Sequence, residues 1–261
     1  MWHLIRAILI MLPKVIVAYF GWILSYFRKI DKIPLEKRYI KVKKIISSAD
    51  KALKVDFHVE GKENILDETC CYFANHLSST DPLMYFPIFD KPVAFVAKVE
   101  IQKYPVVGKI LTIGGGLFLK RDDLKQQLKV MMKVQDSLRN KEMNWFIFPE
   151  GTRNKDQLAN LMDFHHGTFR AAMKAGVPIV PVVNYGAFRL LNTRHSYKSY
   201  PVHIKFLTPI KKEEYENMNT EEVARLVRSR IQKELTFNLR SKDHEEMIKL
   251  NDKKYRYNEV F

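Results

Sequence analysis

The stretch Trp145-Phe146-Ile147-Phe148, followed at once by Pro149-Glu150-Gly151-Thr152-Arg153, decides how the 261-residue chain folds. A short apolar run that stops at a proline predicts a buried strand. Similar strand candidates lie at residues 55–59, 70–74, 93–97, 117–119, 179–184 and 202–206. Helix candidates lie between them, notably at 123–139 and 219–239. The second of these begins with Asn219 as a cap residue and Glu222 three positions later. Alternating strands and helices predict an α/β fold with a mostly parallel central sheet flanked by helices.

The polar residues after the 145–148 strand form the first candidate site. They should lie at the carboxyl end of that strand, the edge at which open α/β sheets bind ligands. A guanidinium binds phosphate oxygens through two parallel hydrogen bonds, so Arg153 is a candidate anion ligand. Arg121 follows the 117–119 strand and is expected to converge on the same anion. The alternative for either arginine is a solvated surface charge.

A second candidate site is the stretch His76-Leu77-Ser78-Ser79-Thr80-Asp81. Histidine is the side chain best suited to accept a proton near neutral pH. A carboxylate that accepts from the other ring N–H holds the imidazole in one tautomer. We therefore expect His76 to be a general base and Asp81 its orienting partner. The alternative is structural, because an Asp before Pro82 is also typical of a helix N-cap.

Four stretches in order carry a family resemblance: NHLSSTD at 75–81, GGLFLKR at 115–121, FPEGTR at 148–153 and VPIVPV at 177–182. Together they resemble the four blocks of the glycerolipid acyltransferase family, of which lysophosphatidate acyltransferase is the type member. The resemblance spans roughly residues 61–209. It implies transfer of a fatty acyl group from acyl-CoA or acyl carrier protein to the sn-2 hydroxyl of lysophosphatidate, giving phosphatidate in phospholipid synthesis. It implies no cofactor and no metal.

The resemblance also assigns site residues and leaves alternatives. His76 and Asp81 would be catalytic, with the base activating the hydroxyl directly. The acceptor site would contain Arg121, Glu150, Gly151, Thr152 and Arg153. The alternatives are an acyltransferase for another lysophospholipid and a non-catalytic membrane-binding module of the same fold.

Two glycine-containing stretches leave their roles open. Many relatives carry basic residues where this chain has His165-His166-Gly167, so these histidines would supply weaker, pH-dependent positive charge. No cysteine or acidic spacing completes a metal site with them. The backbone N–H groups of Gly114-Gly115-Gly116 fit either an oxyanion hole or a plain tight turn.

Charge and apolar content indicate a membrane-associated enzyme. The net charge of +15 fits nucleic acid, an anionic membrane surface or an acidic protein, but no nucleic-acid-binding motif appears. Residues 28–54 hold ten Lys or Arg against three acids and follow an apolar stretch at 7–27. Basic charge beside an apolar segment is typical of a membrane surface.

The predicted organisation has three parts: N-terminal membrane-associating helices at 1–54, a catalytic domain at 55–240, and a charged tail or helix at 241–261. Pro13 and Lys14 should split the first apolar stretch into two shorter pieces, and residues 41–53 should form a basic amphipathic helix. The alternative for that helix is that its apolar stripe packs on the catalytic domain. We therefore expect monotopic or peripheral attachment at the cytoplasmic face of the cell membrane. A single span is the alternative.

Overall fold

The computed structural model describes residues 2–155, 160–191, 197–236 and 240–249. Its centre is one seven-stranded sheet. The strands are β1 Val55–Glu60, β2 Cys71–Ala74, β3 Val93–Lys98, β4 Leu117–Leu119, β5 Asn144–Ile147, β6 Ile179–Tyr185 and β7 Tyr200–Phe206. Their order is β1-β7-β6-β2-β5-β3-β4, with β6 and β7 antiparallel and the other neighbours parallel. The predicted mostly parallel sheet is confirmed.

Helices cover both faces of this sheet. They are α1 Trp2–Ala18, α2 Leu24–Arg28, α3 Leu35–Leu53, α4 Asp81–Tyr85, α5 Val107–Ile113, α6 Leu124–Arg139, α7 Arg170–Ala175, α8 Lys212–Tyr215, α9 Thr220–Glu234 and α10 Arg240–Lys249. Successive strand residues point to opposite faces. Tyr72 of β2 therefore joins a core with α3, α4 and α5, while its neighbour Phe73 joins a second core with α6, α7 and α9.

The C-terminal helices α9 and α10 are stabilised by specific polar contacts. The Asn219 side chain accepts from the N–H groups of Glu221 and Glu222, and Glu222 accepts from the N–H of Asn219, as the sequence predicted. Helix α10 places Asp243 in a buried ion pair with Arg189. The predicted helix at 219–239 and the predicted tail at 241–261 extend beyond the described residues. Their parts at 237–239 and 250–261 lie outside them.

The N-terminal apolar stretch is one helical rod. Helix α1 runs through Pro13, continues as a π-helical turn at Tyr19–Ile23 and ends with α2. The predicted split at Pro13 and Lys14 is wrong, because Pro13 removes one N–H donor without ending the helix. Residues Leu4–Arg28 are long and apolar enough to cross a membrane, by length and composition.

This rod packs against α3 and α5, and its Ala18 and Ile23 join the core on that face of the sheet. Arg6 donates to the carbonyl of Ala52, so the start of α1 lies beside the end of α3. Val42 and Ile46 of α3 are part of the core on the sheet. The rod also exposes a set of large apolar side chains: Ile5, Ile8, Leu9, Ile10, Leu12, Ile16, Val17, Phe20 and Phe27.

Asp50 of α3 predicts a pH dependence of stability. Its side chain is buried, and neither carboxylate oxygen has a hydrogen-bond partner in the described part of the chain. Burial raises the pKa of Asp50 to about 7. As pH rises from about 4 to 7, the unfolded chain ionises here while the folded chain stays protonated, so stability falls.

We expect Asp50→Asn to match wild type in stability near pH 4 and to exceed it above pH 7. A pKa shift of this size at Asp50 corresponds to a difference of up to about 4 kcal/mol in the free energy of unfolding. Thermal unfolding of both proteins from pH 4 to 8 measures the difference. An equal stability gap at every pH would show that Asp50 does not titrate in this range.

Candidate active site

His76 and Asp81 meet at the carboxyl edge of the sheet. His76 lies in the loop after β2, and its Nδ1 is 2.9 Å from Oδ2 of Asp81. The ring stacks on Phe148 at 4.5 Å between centroids, which fixes its plane. A proton on Nδ1 that is donated to Asp81 leaves Nε2 as the acceptor nitrogen. Nε2 has no hydrogen-bond partner within the described ranges.

Asp81 is not the N-cap that its position before Pro82 also allowed. Helix α4 begins at Asp81 itself, with Thr80 as the residue before it. The Asp81 carboxylate points back along the chain, where Oδ2 accepts from the N–H groups of Leu77 and Ser78 at 2.8 Å each. The side chain therefore organises the loop that carries His76, in addition to contacting its ring.

Glu150 supports the same loop from the other side. Its Oε1 accepts from the backbone N–H of His76 at 2.8 Å, and its Oε2 accepts from the N–H of Met162 at 3.1 Å. Burial raises the pKa of this carboxyl, against the two backbone donors, which lower it. Both oxygens are thus occupied by the protein. The resemblance placed Glu150 in the acceptor site, and in this structure one of its oxygens holds the backbone of His76.

Three asparagines complete this support, and the sequence analysis did not single them out. The Asn75 amide accepts from the N–H of Asn184 and donates to its carbonyl, while the Asn184 amide donates to the carbonyl of Asn75. The N–H of Asn154 donates to the carbonyl of His76 at 2.7 Å. All three side chains are buried. Polar residues directly after apolar strands were the available signal, at Asn75 and within β6.

A cluster of cations lies at the same edge. Lys98 ends β3, Arg121 follows β4 and Arg153 follows β5, and these strands are parallel neighbours. Burial, then the nearby charge of Arg121, lowers the pKa of Lys98; Glu100 opposes this shift, and Arg153 adds to it. Neither arginine has a carboxylate within ion-pair distance among the residues described. Lys98 was missed because the predicted strand stopped at residue 97, one residue short of it.

The turn after β5 is shaped by Gly151 and His165. Gly151 has a φ of +63°, and a Cβ there would lie 2.8 Å from Cδ2 of His165. Only glycine fits this close contact without strain. Thr152 is half-buried in the same turn. His166 points elsewhere, with Nδ1 3.0 Å from the hydroxyl of Thr220 at the start of α9.

The Gly114–Gly116 loop is a tight turn and not an oxyanion hole. The N–H groups of Gly114, Gly115 and Gly116 donate to the carbonyls of Ile110, Thr112 and Leu111 respectively. The turn also precedes β4, whereas Arg121 follows that strand. It therefore lies at the opposite edge of the sheet from His76 and the cations.

Comparison with known proteins gives a consistent assignment. The acyltransferase family model matches residues 56–185, which include His76, Asp81, Arg121 and Arg153. A 1-acyl-sn-glycerol-3-phosphate acyltransferase of Saccharomyces cerevisiae is 27% identical over 180 residues, covering 69% of this chain and 59% of that protein. A probable enzyme of the same name from Mycoplasma pneumoniae is 27% identical over 207 residues, covering 74% of this chain and 76% of that protein.

A solved structure shares both the fold and part of the sequence. The crystal structure of the 1-acyl-sn-glycerophosphate acyltransferase PlsC from Thermotoga maritima superposes with a TM-score of 0.67 at 26% identity. The match covers 89% of this chain and 96% of that one. The chain spans only 38% to 59% of the length of several curated relatives that it matches.

Proposed function

Because the chain belongs to the acyltransferase family of glycerolipid synthesis, we propose that it transfers a fatty acyl group from a thioester to the sn-2 hydroxyl of lysophosphatidate. The observation that carries this proposal is the His76–Asp81 pair beside three cations at one sheet edge. The pair supplies a base for a hydroxyl, and the cations supply a site for its phosphate. The alternative acceptor is another lysophospholipid.

The reaction needs no nucleophile from the protein. His76 Nε2 takes the proton of the acceptor hydroxyl as its oxygen attacks the thioester carbonyl. The tetrahedral intermediate expels the thiolate, which takes the proton from the imidazolium, so that an ester and a thiol result. Asp81 stabilises the imidazolium between these two steps. Glu150 acts through the His76 backbone and is a positioning residue.

The cation cluster selects an acceptor that carries a phosphate. Lys98, Arg121 and Arg153 repel one another, and this repulsion is relieved when a dianionic phosphomonoester lies between them. A phosphodiester headgroup carries less charge and offers fewer free oxygens. An acceptor panel tests this directly: radiolabelled palmitoyl-CoA with lysophosphatidate, lysophosphatidylcholine or lysophosphatidylglycerol. Product formed from lysophosphatidate alone supports the proposal, and a preferred phosphodiester acceptor contradicts it.

Arg153→Lys should raise the KM for lysophosphatidate about tenfold, because one bidentate hydrogen bond is lost while the charge remains. The KM for the acyl donor should change little. Arg225→Lys on α9 is the control, since Arg225 is an exposed arginine outside this edge. If Arg153→Lys instead raises the KM for the acyl donor and leaves the KM for lysophosphatidate unchanged, Arg153 contacts the donor.

We also propose that the N-terminal rod embeds in the cytoplasmic face of the cell membrane as a monotopic unit. Its exposed apolar side chains and the basic residues of α3 match an apolar bilayer interior and an anionic surface. This attachment keeps the enzyme at the surface that contains its lipid substrate. Deletion of residues 1–54 is a poor test, because α3 contributes Tyr39, Val42 and Ile46 to the core.

Leu9→Asp with Val17→Asp should reduce binding to phosphatidylglycerol vesicles at least about tenfold, because each exposed apolar side chain loses its favourable transfer into lipid. Co-sedimentation with vesicles measures this. Leu124→Asp with Leu128→Asp, two exposed leucines of α6, is the matched control and should bind as wild type does. Full release of wild type by high salt alone would show that the rod is not embedded.

A further inference from the structure

Helix α6 carries a ridge of apolar side chains that are exposed and do not pack in the core. Leu124, Leu128 and Met132 are 69%, 51% and 62% exposed. They are spaced by four residues and so lie in one row along the helix. The buried residues Val130 and Val134 lie two positions from Met132, or about 200° around the helix axis. Met132 therefore points away from the sheet, and Leu128 and Leu124 lie about 40° and 80° round the helix from it.

A row of three lysines runs beside this ridge. Lys125, Lys129 and Lys133 each follow one ridge residue, and all three are exposed. None of them forms an ion pair with any described residue. Apolar side chains next to unpaired lysines form a surface that fits an acidic protein with some apolar contacts of its own.

The first turn of α6 is tied to the catalytic edge. The Gln127 side-chain amide donates to the carbonyl of Arg121 at 2.6 Å, and that of Gln126 donates to the carbonyl of Phe118 in β4. Asp123 caps the helix by accepting from the N–H of Gln126. The exposed row thus starts next to Arg121, at the edge where the thioester must arrive.

We propose that this face of α6, defined by Leu124, Lys125, Leu128, Lys129, Met132 and Lys133, docks an acidic acyl carrier protein that delivers the acyl group. The inference rests on the proposed acyl transfer. It chooses acyl carrier protein over acyl-CoA as the donor. Its apolar row contacts the carrier, and its lysines attract the acidic surface. The flexible thioester arm then reaches the adjacent edge.

A membrane is the less suitable occupant of this face. Val134 and Leu138 of α6 pack in the core on one side of the sheet, while Val42 and Ile46 of α3 pack on the other. The apolar rod packs on the α3 side, where its Ile23 joins the same core. A bilayer that holds the rod therefore lies on the opposite side of the molecule from α6. A soluble partner has free access to α6 in that orientation.

The test compares two donors that carry the same chain, palmitoyl acyl carrier protein and palmitoyl-CoA, with the full-length protein. Lys125, Lys129 and Lys133 are all changed to Glu. Because charges at an interface control association, kcat/KM for the carrier protein should fall roughly tenfold or more, through KM. With palmitoyl-CoA as donor, kcat/KM of this variant should stay within about twofold of the wild-type value. Replacing Leu124, Leu128 and Met132 together by Ser should give the same donor-selective loss.

The control variant changes Lys174, Arg225 and Lys233 to Glu, which removes the same charge from exposed positions on α7 and α9. It should use both donors as wild type does. Equal losses with both donors, a loss with palmitoyl-CoA alone, or no loss would overturn the proposal. So would a wild type that uses only palmitoyl-CoA. Loss of vesicle binding in the lysine variant would assign the face to the membrane instead.

Failure of the proposed function gives a different pattern. If wild type transfers palmitate from neither donor, acyl transfer fails, and docking is judged by calorimetric titration with the unacylated holo carrier protein. Binding to wild type that the lysine variant loses still supports the docking face. No binding to wild type overturns it.

Discussion

His76→Ala should reduce acyl transfer to lysophosphatidate by a factor on the order of 10² to 10⁴, the usual contribution of a positioned general base. The loss should fall on kcat, because the ring contacts the reacting hydroxyl and the cations still hold the phosphate. The fold should survive, since Asp81 keeps both of its backbone donors and Glu150 keeps its bond to the backbone of residue 76. Single-turnover rates and melting temperature measure the two quantities.

His58→Ala is the matched histidine control. His58 lies on the edge strand β1 and stacks on His203, apart from the β2 loop. Its acyl transfer should equal that of wild type. Turnover of His76→Ala near the wild-type rate would refute the general-base mechanism. A collapsed melting temperature with normal activity in the folded fraction would leave His76 a structural role only.

Asp81→Asn should be the second large loss, on the order of 10³ in kcat, because the amide removes the charge that stabilises the imidazolium and disturbs the tautomer of His76. The melting temperature should also fall. Oδ2 of Asp81 accepts from Leu77, Ser78 and His76, and charge-assisted bonds of this kind are stronger than neutral ones.

The split between kcat and KM separates the two effects of Asp81. Loss of the charge that stabilises the imidazolium should lower kcat and leave the KM for lysophosphatidate unchanged, because the cations still hold the phosphate. Asp90→Asn, which removes an exposed carboxylate paired with Lys43, should change neither constant. A variant that is less stable but has wild-type kcat would assign Asp81 to loop structure alone.

The elements of the fold were predictable because their signals are local. Most strands are short apolar runs and β1 alternates apolar and polar residues, and each predicted run forms a strand in the sheet. The cap at Asn219 depends on residues within one turn of helix. The placement of Arg153 at a strand end also followed from the residues beside it. In these cases, hydrophobic burial and backbone geometry depend on nearest neighbours in the chain.

The tertiary structure decided what those elements do together. The same Asp81-Pro82 sequence fits a cap or an orienting carboxylate, and the direction of the loop at 76–78 made the choice. Glu150 reaches His76 because β5 lies beside β2, although the two residues are 74 positions apart. Lys98 joins the arginines because β3 lies between β4 and β5. Strand order is set by packing over the whole sheet, so no local pattern in the sequence carries it.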